Sequence, residues 1–174
     1  LAIASGKGGV GKSSVTVNLA AALADAGYTV GVLDADIWGF SVPRLLGISD
    51  RMEAHKVEGS DKPKIVPNER VVGSGLLKVV STGFLVEEDT ALMWRGLMLT
   101  KAVEQFLRDV QWGHLDYLLI DMPPGTGDVQ MGLARMLPST SLVVVTTPAL
   151  AAQKVAQRAA DMARRSFLEV IGVI

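Results

Sequence analysis

Short apolar runs recur along the chain, and segments with helical spacing lie between them. Five of the runs have the length and apolar content of strands but no alternating polar positions, and Leu1–Ala4 resembles the end of another buried strand. Such runs are typical of a parallel sheet that is covered on both faces. The pattern therefore predicts strands at Thr29–Leu33, Lys78–Ser81, Tyr117–Ile120, Leu142–Thr146 and Val170–Ile174.

The helical segments fall between these strands. Ser13–Ala26 ends at Gly27, a residue suited to the position after a helix. Segments 97–111 and 150–165 each carry one apolar stripe at spacings of three and four residues. Alternation of strands and helices predicts an α/β three-layer fold, with a mostly parallel sheet flanked by helices. Ser49–Gly75, rich in charge, proline and glycine, interrupts this order, and we expect it to hold one or two short strands.

Length and composition narrow the possibilities. The 174 residues suggest a single domain spanning 1–174, and we expect that domain to be truncated at both ends because Leu1–Ala4 and Glu169–Ile174 are strand-like. The net charge of −1 offers no electrostatic footprint for nucleic acid or an anionic membrane. The chain shows no membrane-length apolar run and no secretory signal, and it contains no cysteine. We therefore expect a cytoplasmic protein without nucleic-acid or membrane partners, and no thiolate ligand among these residues.

A glycine-rich segment follows the first predicted strand and opens the first predicted helix. It matches the G-x-x-x-x-G-K-[ST] pattern of phosphate loops, whose glycines let backbone N–H groups converge on phosphate oxygens. Lys12 is expected to reach the β- and γ-phosphates, Ser13 to bind Mg²⁺ and Ser14 to support the α-phosphate. A glycine-rich turn that binds nothing is the alternative, but the lysine, the serine and the context favour nucleotide binding. The segment reads Gly6-Lys7-Gly8-Gly9-Val10-Gly11-Lys12-Ser13.

Carboxylates follow two of the predicted strands. Asp34 and Asp36 come after Thr29–Leu33, at the carboxyl end where open α/β sheets bind ligands. Alone they could equally cap a turn, but a phosphate loop upstream favours a carboxylate that orients the attacking water or holds Mg²⁺. Asp121 ends the apolar run Leu118–Ile120 in a Walker B pattern, and we expect it to hold a water of the Mg²⁺ shell.

The segment after Asp121 combines stiff prolines with permissive glycines. Such a segment suits a switch in which Pro124, Gly125 and Gly127 respond to the γ-phosphate. Asp128 is interpreted as the N-cap of a helix that starts at Val129. Farther along, Pro148 follows a strand and is expected to border the adenine. The chain contains no N-K-x-D guanine-reading motif, which favours ATP over GTP.

The segment Lys7–Ser13 resembles the deviant Walker A class of P-loop ATPases, which includes the ParA-like partitioning and MinD-like septum-placing families. This resemblance implies a homodimer in which Lys7 reaches the partner's phosphates, and it assigns Asp36 to the first switch. Longer motifs resemble the Mrp/ApbC family of iron–sulfur cluster carrier ATPases nearly end to end, although Phe40 and Leu97 stand where that family usually has proline. These motifs are Asp34–Pro43, Trp94–Gly96, Asp116–Gln130 and Thr146–Pro148.

The second resemblance implies a Mg²⁺-dependent ATPase with slow, switch-like hydrolysis, in which Lys7, Lys12 and Asp36 are catalytic. It implies a carrier or scaffold that assembles iron–sulfur clusters and transfers them to apoprotein acceptors after loading from an upstream scaffold. A [4Fe–4S] cluster would be bridged by cysteines of a C-x-x-C pair that lies outside these residues. Trp38, in the first switch, is a candidate partner contact.

Three alternatives remain at this point. A partitioning or septum-positioning ATPase would share every phosphate-loop residue but should carry a basic surface or a terminal amphipathic helix. A nitrogenase-type reductase is disfavoured because 122–132 contains no cysteine to bind its cluster. A nucleotide-gated binding module without hydrolysis would be distinguished by ATP turnover.

Overall fold

The computed structural model describes residues 1–36, 39–49, 53–55, 64–84, 97–125 and 127–174. Within these ranges the α-helices are α1 (Lys12–Asp25), α2 (Val42–Leu45), α3 (Leu97–Asp109), α4 (Gly127–Met136) and α5 (Leu150–Arg165). The strands are β1 (Ala2–Ser5), β2 (Thr29–Asp34), β3 (Glu53–His55), β4 (Lys64–Val66), β5 (Asn68–Val72), β6 (Gly75–Ser81), β7 (Tyr117–Asp121), β8 (Ser141–Val145) and β9 (Glu169–Val173).

A seven-stranded sheet in the order β5-β6-β2-β7-β1-β8-β9 forms the centre of the structure. All neighbouring strands in it are parallel except β5, which pairs antiparallel with β6. Strands β3 and β4 form a separate antiparallel pair. The predicted α/β three-layer class with a mostly parallel sheet is therefore confirmed.

In the described part of the predicted excursion Ser49–Gly75 lie three short strands, β3, β4 and β5, rather than one or two. Strand β5 lies at the sheet edge with a largely exposed pattern, so it lacks the apolar run that marks the buried strands. The turn after it places Gly73 at a φ of +56°, which favours glycine and lets β5 fold back antiparallel on β6. A polar edge strand of this kind leaves no clear hydrophobic signal.

Helix boundaries correct one further expectation. Helix α4 begins at Gly127, directly after the turn in which Gly125 has a φ of +67°, and not at Val129. Asp128 therefore lies within the first turn of α4, so its interpretation as an N-cap is wrong. Leu97 is the first residue of α3, a position that also suits proline. Trp38 and the Trp94–Gly96 motif lie outside the described residues.

Apolar side chains cover both faces of the sheet. On one face α1 packs against β2, β6 and β7 in a cluster that includes Val30, Val32, Leu77 and Leu119. On the other face Phe106 of α3 and Leu133 of α4 pack with side chains of β1, β2, β7 and β8. Burial on both faces explains why the central strands read as continuous apolar runs. It also fixes the carboxyl ends of β1, β2 and β7 beside one another.

Among the described residues, no helix combines the length and apolar character needed to cross a membrane.

Candidate functional site

The candidate site lies where three adjacent parallel strands end. Strand β1 leads into the glycine-rich loop, and β7 lies between β1 and β2 in the sheet. Asp34 and Asp121, the last residues of β2 and β7, are paired in register and both are buried. The sheet therefore brings two carboxylates that are far apart in sequence beside the start of helix α1.

The glycine-rich loop has the backbone that its sequence predicts. Gly9 and Gly11 have φ values of +77° and +94°, in the left-handed region that glycine adopts without strain. Helix α1 begins at Lys12, immediately after Gly11. The first N–H groups of α1 and the positive end of its dipole therefore face the space over the loop, which favours an anion there.

A cavity of about 570 Å³ lies over this loop. Nine of its lining residues come from the loop, the start of α1 and the segment after β2, and the others are Ser5 and Pro124. Three predicted nucleotide-binding residues, Gly6, Val10 and Pro148, are not among the lining residues. The lining comprises Ser5, Gly8, Gly9, Gly11, Lys12, Ser13, Ser14, Asp36, Gly39, Ser41 and Pro124.

Gly6 is instead in close contact with the backbone of α5. A Cβ at this position would overlap the Val155 carbonyl group and would lie 2.7 Å from the Ala156 nitrogen. Only glycine fits without displacing α5. Pro148 is exposed, and its carbonyl accepts a hydrogen bond from Gln153 Nε2 at 3.0 Å, near the start of α5.

Lys12 is buried and paired with the acidic end of β7. Its Nζ lies 2.8 Å from Asp121 Oδ1 and 4.0 Å from Asp36 Oδ2. Ser13 Oγ donates a hydrogen bond of 2.5 Å to Asp121 Oδ2. The structure therefore brings together four residues that the sequence analysis proposed separately: Lys12, Ser13, Asp36 and Asp121.

Thr16 also belongs to this cluster and was not among the residues predicted from the sequence. Its Oγ1 donates a hydrogen bond of 2.8 Å to Asp121 Oδ1 and also lies 3.1 Å from the carbonyl oxygen of Lys12. Thr16 is fully buried. A polar residue one helical turn beyond Lys12, on the buried face of α1, was the available signal.

Asp34 has a different environment from Asp36. It is buried, and its carboxylate accepts hydrogen bonds from the backbone N–H groups of Asp36 (3.2 Å) and Val42 (3.3 Å). Ser81 Oγ, at the end of β6, donates to the same carboxylate at 3.2 Å. Burial, reinforced by the nearby charge of Asp121, raises the pKa of Asp34 to about 7. Asp34 therefore anchors the segment that carries Asp36.

The segment after Asp121, which the sequence predicts to be a switch, is hydrogen-bonded to β1. The Gly125 N–H donates to the Ser5 carbonyl at 3.0 Å, with Gly125 at a φ of +67°. Pro124 lines the cavity opposite the glycine-rich loop, and Gly127 starts α4. The structure therefore pairs the Gly125 amide with the Ser5 carbonyl.

Lys7 lies at the surface. Its side chain is exposed, and its carbonyl accepts a hydrogen bond from Ser5 Oγ at 3.0 Å. The residue is absent from the cavity lining. Lys7 therefore extends from the glycine-rich loop into solvent.

The oxygen ligands around the cavity suit Mg²⁺. Across the described part of the chain there is no cluster of three or more His, Cys, Asp or Glu side chains that could hold a metal alone. Ser13, Asp36 and Asp121 supply oxygen only, and they do so beside a phosphate loop. Mg²⁺ is commonly bound in this way, by few protein ligands together with substrate phosphates and water.

Comparison with known proteins places the chain in a family. A family model described as the NUBPL iron-transfer P-loop NTPase matches residues 1–174. The chain is 50% identical over 173 residues to the iron-sulfur cluster carrier protein of Mycobacterium tuberculosis (strain ATCC 25618 / H37Rv), covering 99% of this chain and 43% of that protein. It is 50% identical over 174 residues to the iron-sulfur cluster carrier protein of Bacillus subtilis (strain 168), covering 100% of this chain and 47% of that protein.

Solved structures give the same fold. The nucleotide-binding protein from Archaeoglobus fulgidus in complex with ADP matches with a TM-score of 0.76 and 38% identity, over 99% of this chain and 63% of that one. The septum site-determining protein MinD from Pyrococcus horikoshii OT3, complexed with Mg-ADP, matches with a TM-score of 0.66 and 20% identity, over 99% and 67%. The MinD likeness shows the fold alone.

The chain spans less than half the length of the two carrier proteins described above. The family model nevertheless covers all of it, and the resemblance inferred from its motifs is confirmed by these relatives. The chain belongs to the NUBPL iron-transfer P-loop NTPase family.

Proposed function

We propose that this chain is the ATP-binding and ATP-hydrolysing part of an iron–sulfur cluster carrier. The observation that supports the proposal is that Lys12, Ser13 and Asp36 line one cavity on the phosphate loop, with the buried Asp121 in contact with Lys12 and Ser13. Relatives at 50% identity are named iron-sulfur cluster carrier proteins, which supports the choice of cargo.

ATP binding would replace contacts that are internal to the protein. The triphosphate lies on the N–H groups of the loop and of the start of α1, where the helix dipole favours negative charge. Lys12 exchanges its 2.8 Å contact with Asp121 for the β- and γ-phosphates. Because one anionic partner replaces another, the buried ammonium is never left without compensation. Ser14, which also lines the cavity, supports the α-phosphate.

Ser13 and Asp121 are the residues that would hold Mg²⁺ and its water shell, with Asp36 as a further candidate. When bound, the ion neutralises charge that develops on the phosphate oxygens. The Ser13 hydroxyl would hold the ion through an oxygen lone pair while its O–H still donates to Asp121 Oδ2, because a hydroxyl has one donor and two lone pairs.

Asp36 is the candidate for positioning the attacking water. Its carboxylate lines the cavity, and Gly39 N–H donates to Asp36 Oδ1 at 3.2 Å, which orients the group. A water oxygen held there attacks the γ-phosphorus as the bond to the β–γ bridging oxygen breaks, which yields ADP and phosphate and releases one proton of the water to solvent. Lys12 stabilises the charge on the oxygens during transfer.

Lys7 would act across a homodimer. Its exposed side chain, beside the loop but outside the cavity lining, is suited to reach the phosphates of a second copy. A cation supplied by a partner performs the task that an arginine finger performs in other P-loop enzymes. ATP would thereby hold two protomers together, and slow hydrolysis would release them.

The [4Fe–4S] cluster is the cargo in this proposal. These 174 residues contain no cysteine, so its ligands would be supplied by residues outside them. An upstream scaffold would load the cluster, an apoprotein would accept it, and the nucleotide state would control the exchange. We place this activity in the cytoplasm.

The test combines turnover with cluster transfer in the gene product that contains this chain. ATP hydrolysis is measured with Mg²⁺ and with EDTA, for the wild type and for Asp36→Asn. Anaerobic reconstitution is followed by transfer to an apo-ferredoxin, read by absorbance and iron content. We expect Mg²⁺-dependent turnover that falls roughly 100-fold in Asp36→Asn, together with a transferable cluster. Turnover without any bound cluster would contradict the carrier function and favour the positioning ATPase instead.

A further inference from the structure

Asp34 accepts hydrogen bonds from both ends of the segment that begins at Asp36. Asp34 Oδ1 accepts the Asp36 N–H at 3.2 Å, and Asp34 Oδ2 accepts the Val42 N–H at 3.3 Å. We call residues 35–41 the first switch loop; residues 37 and 38 of it lie outside the described part of the chain. Both ends of this loop are therefore tied to one buried carboxylate.

Ser81 ties the same carboxylate to the neighbouring strand. Ser81 is fully buried at the end of β6, in register with Asp34. Its hydroxyl donates to Asp34 Oδ2 at 3.2 Å and accepts the Gly83 N–H at 3.1 Å. One hydroxyl thus links the first switch loop to the turn Thr82–Phe84 that follows β6.

A second contact joins the same two segments. A Cβ on Gly83 would overlap the Phe40 ring, and its distance to Cδ1 of that ring would be 2.6 Å. The ring therefore packs directly against the Gly83 backbone, although Phe40 is 39% exposed. The first switch loop rests on the 81–83 corner at two points, one polar and one apolar.

We infer that Ser81 and Gly83 are positioning residues, which hold the first switch loop so that Asp36 faces the cavity. The inference rests on the proposed function, in which Asp36 orients the attacking water. Neither residue lines the cavity, so their effect passes through Asp34 and Phe40. Loss of either contact would move the loop without altering the phosphate loop.

If Ser81 and Gly83 position the loop, their loss should lower the rate of ATP hydrolysis without lowering the affinity for ATP. Displacement of a water-orienting group by a fraction of an ångström to 1 Å costs roughly 10- to 100-fold in rate. ATP affinity should change by less than about twofold, because the contacts of Lys12, Ser13 and the loop N–H groups are untouched. A merely structural contribution by Ser81 would lower the melting temperature but would leave kcat of the folded protein unchanged.

The first experiment compares Ser81→Ala with Ser139→Ala in the same protein. Ser139 is exposed and lies beside Leu1 and Leu118, at the opposite end of the strands, so it controls for the chemistry of the substitution. ATP turnover gives kcat, and a fluorescent methylanthraniloyl-ATP titration gives affinity. We expect kcat to fall about 10-fold or more in Ser81→Ala only, at unchanged affinity. Equal kcat in both variants, or an equal loss of affinity, would overturn the inference.

The second experiment uses steric rescue. Gly83→Ala should lower kcat because the new methyl group displaces the Phe40 ring, whereas the double variant Phe40→Ala, Gly83→Ala gives that methyl group room. We expect the double variant to turn over ATP several-fold faster than Gly83→Ala alone. No recovery would contradict the proposed contact. A wild-type protein that binds ATP without hydrolysing it would instead refute the proposed function.

Discussion

The Lys12 ammonium lies 2.8 Å from Asp121 Oδ1, and both side chains are almost completely buried. A buried charge that loses its partner is costly, typically by about 3–5 kcal/mol, because water is not available to replace the partner. Charge neutralisation at the end of β7 is therefore part of the stability of the fold.

Replacement of Asp121 by asparagine should lower the free energy of unfolding by about 3 kcal/mol, measured by urea denaturation without nucleotide or Mg²⁺. Lys12→Met provides the partner variant for a double-mutant cycle. The double variant should lose less stability than the sum of the two single losses, because the second substitution removes a charge that is already uncompensated. Additive losses would show that the ion pair does not stabilise the fold.

Thr16→Val should weaken the binding of Mg²⁺-nucleotide more than the binding of nucleotide in EDTA. Valine has nearly the same shape but lacks the hydroxyl that donates to Asp121 Oδ1 at 2.8 Å. Loss of a hydrogen bond to a charged group costs about 1.5–3 kcal/mol. Because the group here is Asp121, which is proposed to hold the water shell of Mg²⁺, the loss should affect the Mg²⁺-dependent part of the affinity. Thr16→Ser, which keeps the hydroxyl, is the matched control and should restore most of the affinity. The same loss in both variants would assign the effect to packing.

The raised pKa of Asp34 should make the free energy of unfolding fall as the pH rises from about 4 to 7. Its pKa is raised from 3.8 to about 7 in the folded protein, so across this range the native state holds a proton that the unfolded state has released. Each pH unit in the window then costs on the order of 1 kcal/mol, and above the folded pKa the cost is constant. The stability difference between the wild type and Asp34→Asn, measured by urea denaturation at several pH values, should show this slope. A stability difference that does not change with pH would contradict the raised pKa of Asp34 in the folded protein.

Gly6→Ala and Gly8→Ala should differ sharply in their effect on the melting temperature. A methyl group at Gly6 would overlap the Val155 carbonyl, whereas the nearest atom to a methyl group at Gly8 is Pro124 Cγ at 4.0 Å. Overpacking against backbone costs about 1–3 kcal/mol or more, which corresponds to several degrees. Gly8→Ala should melt within about one degree of the wild type. Equal melting temperatures would mean that α5 can move away at no cost.

The sequence allowed the prediction of residues whose roles depend on local spacing. The glycine-rich loop, Lys12 and Ser13 follow one another in the chain, and the carboxyl ends of parallel strands lie at one edge of a sheet, so Asp34 and Asp121 could be expected near the loop. The order of the strands was needed to know which side chains meet. Ser81 donates to Asp34 across 47 positions and Thr16 to Asp121 across 105, and neither pair is implied by any spacing.

Other features were missed because their sequence signal is weak. Strand β5 is polar and lies at an edge, so hydrophobic periodicity does not reveal it. Gly6 was assigned to phosphate binding because it begins the motif, yet the structure shows that contact with the α5 backbone also demands glycine there. The motif predicts glycine at position 6, but it does not show whether phosphate binding or packing against α5 requires it.

The contact between Gly6 and α5 has a mechanical consequence. Two main chains touch there, and neither has a rotamer that could absorb a small displacement. A displacement of the loop at Gly6 toward α5 would therefore have to displace the α5 backbone at Val155 and Ala156 as well. Helix α5 is followed by β9 at the sheet edge, so one backbone contact and one helix join the glycine-rich loop to that edge strand.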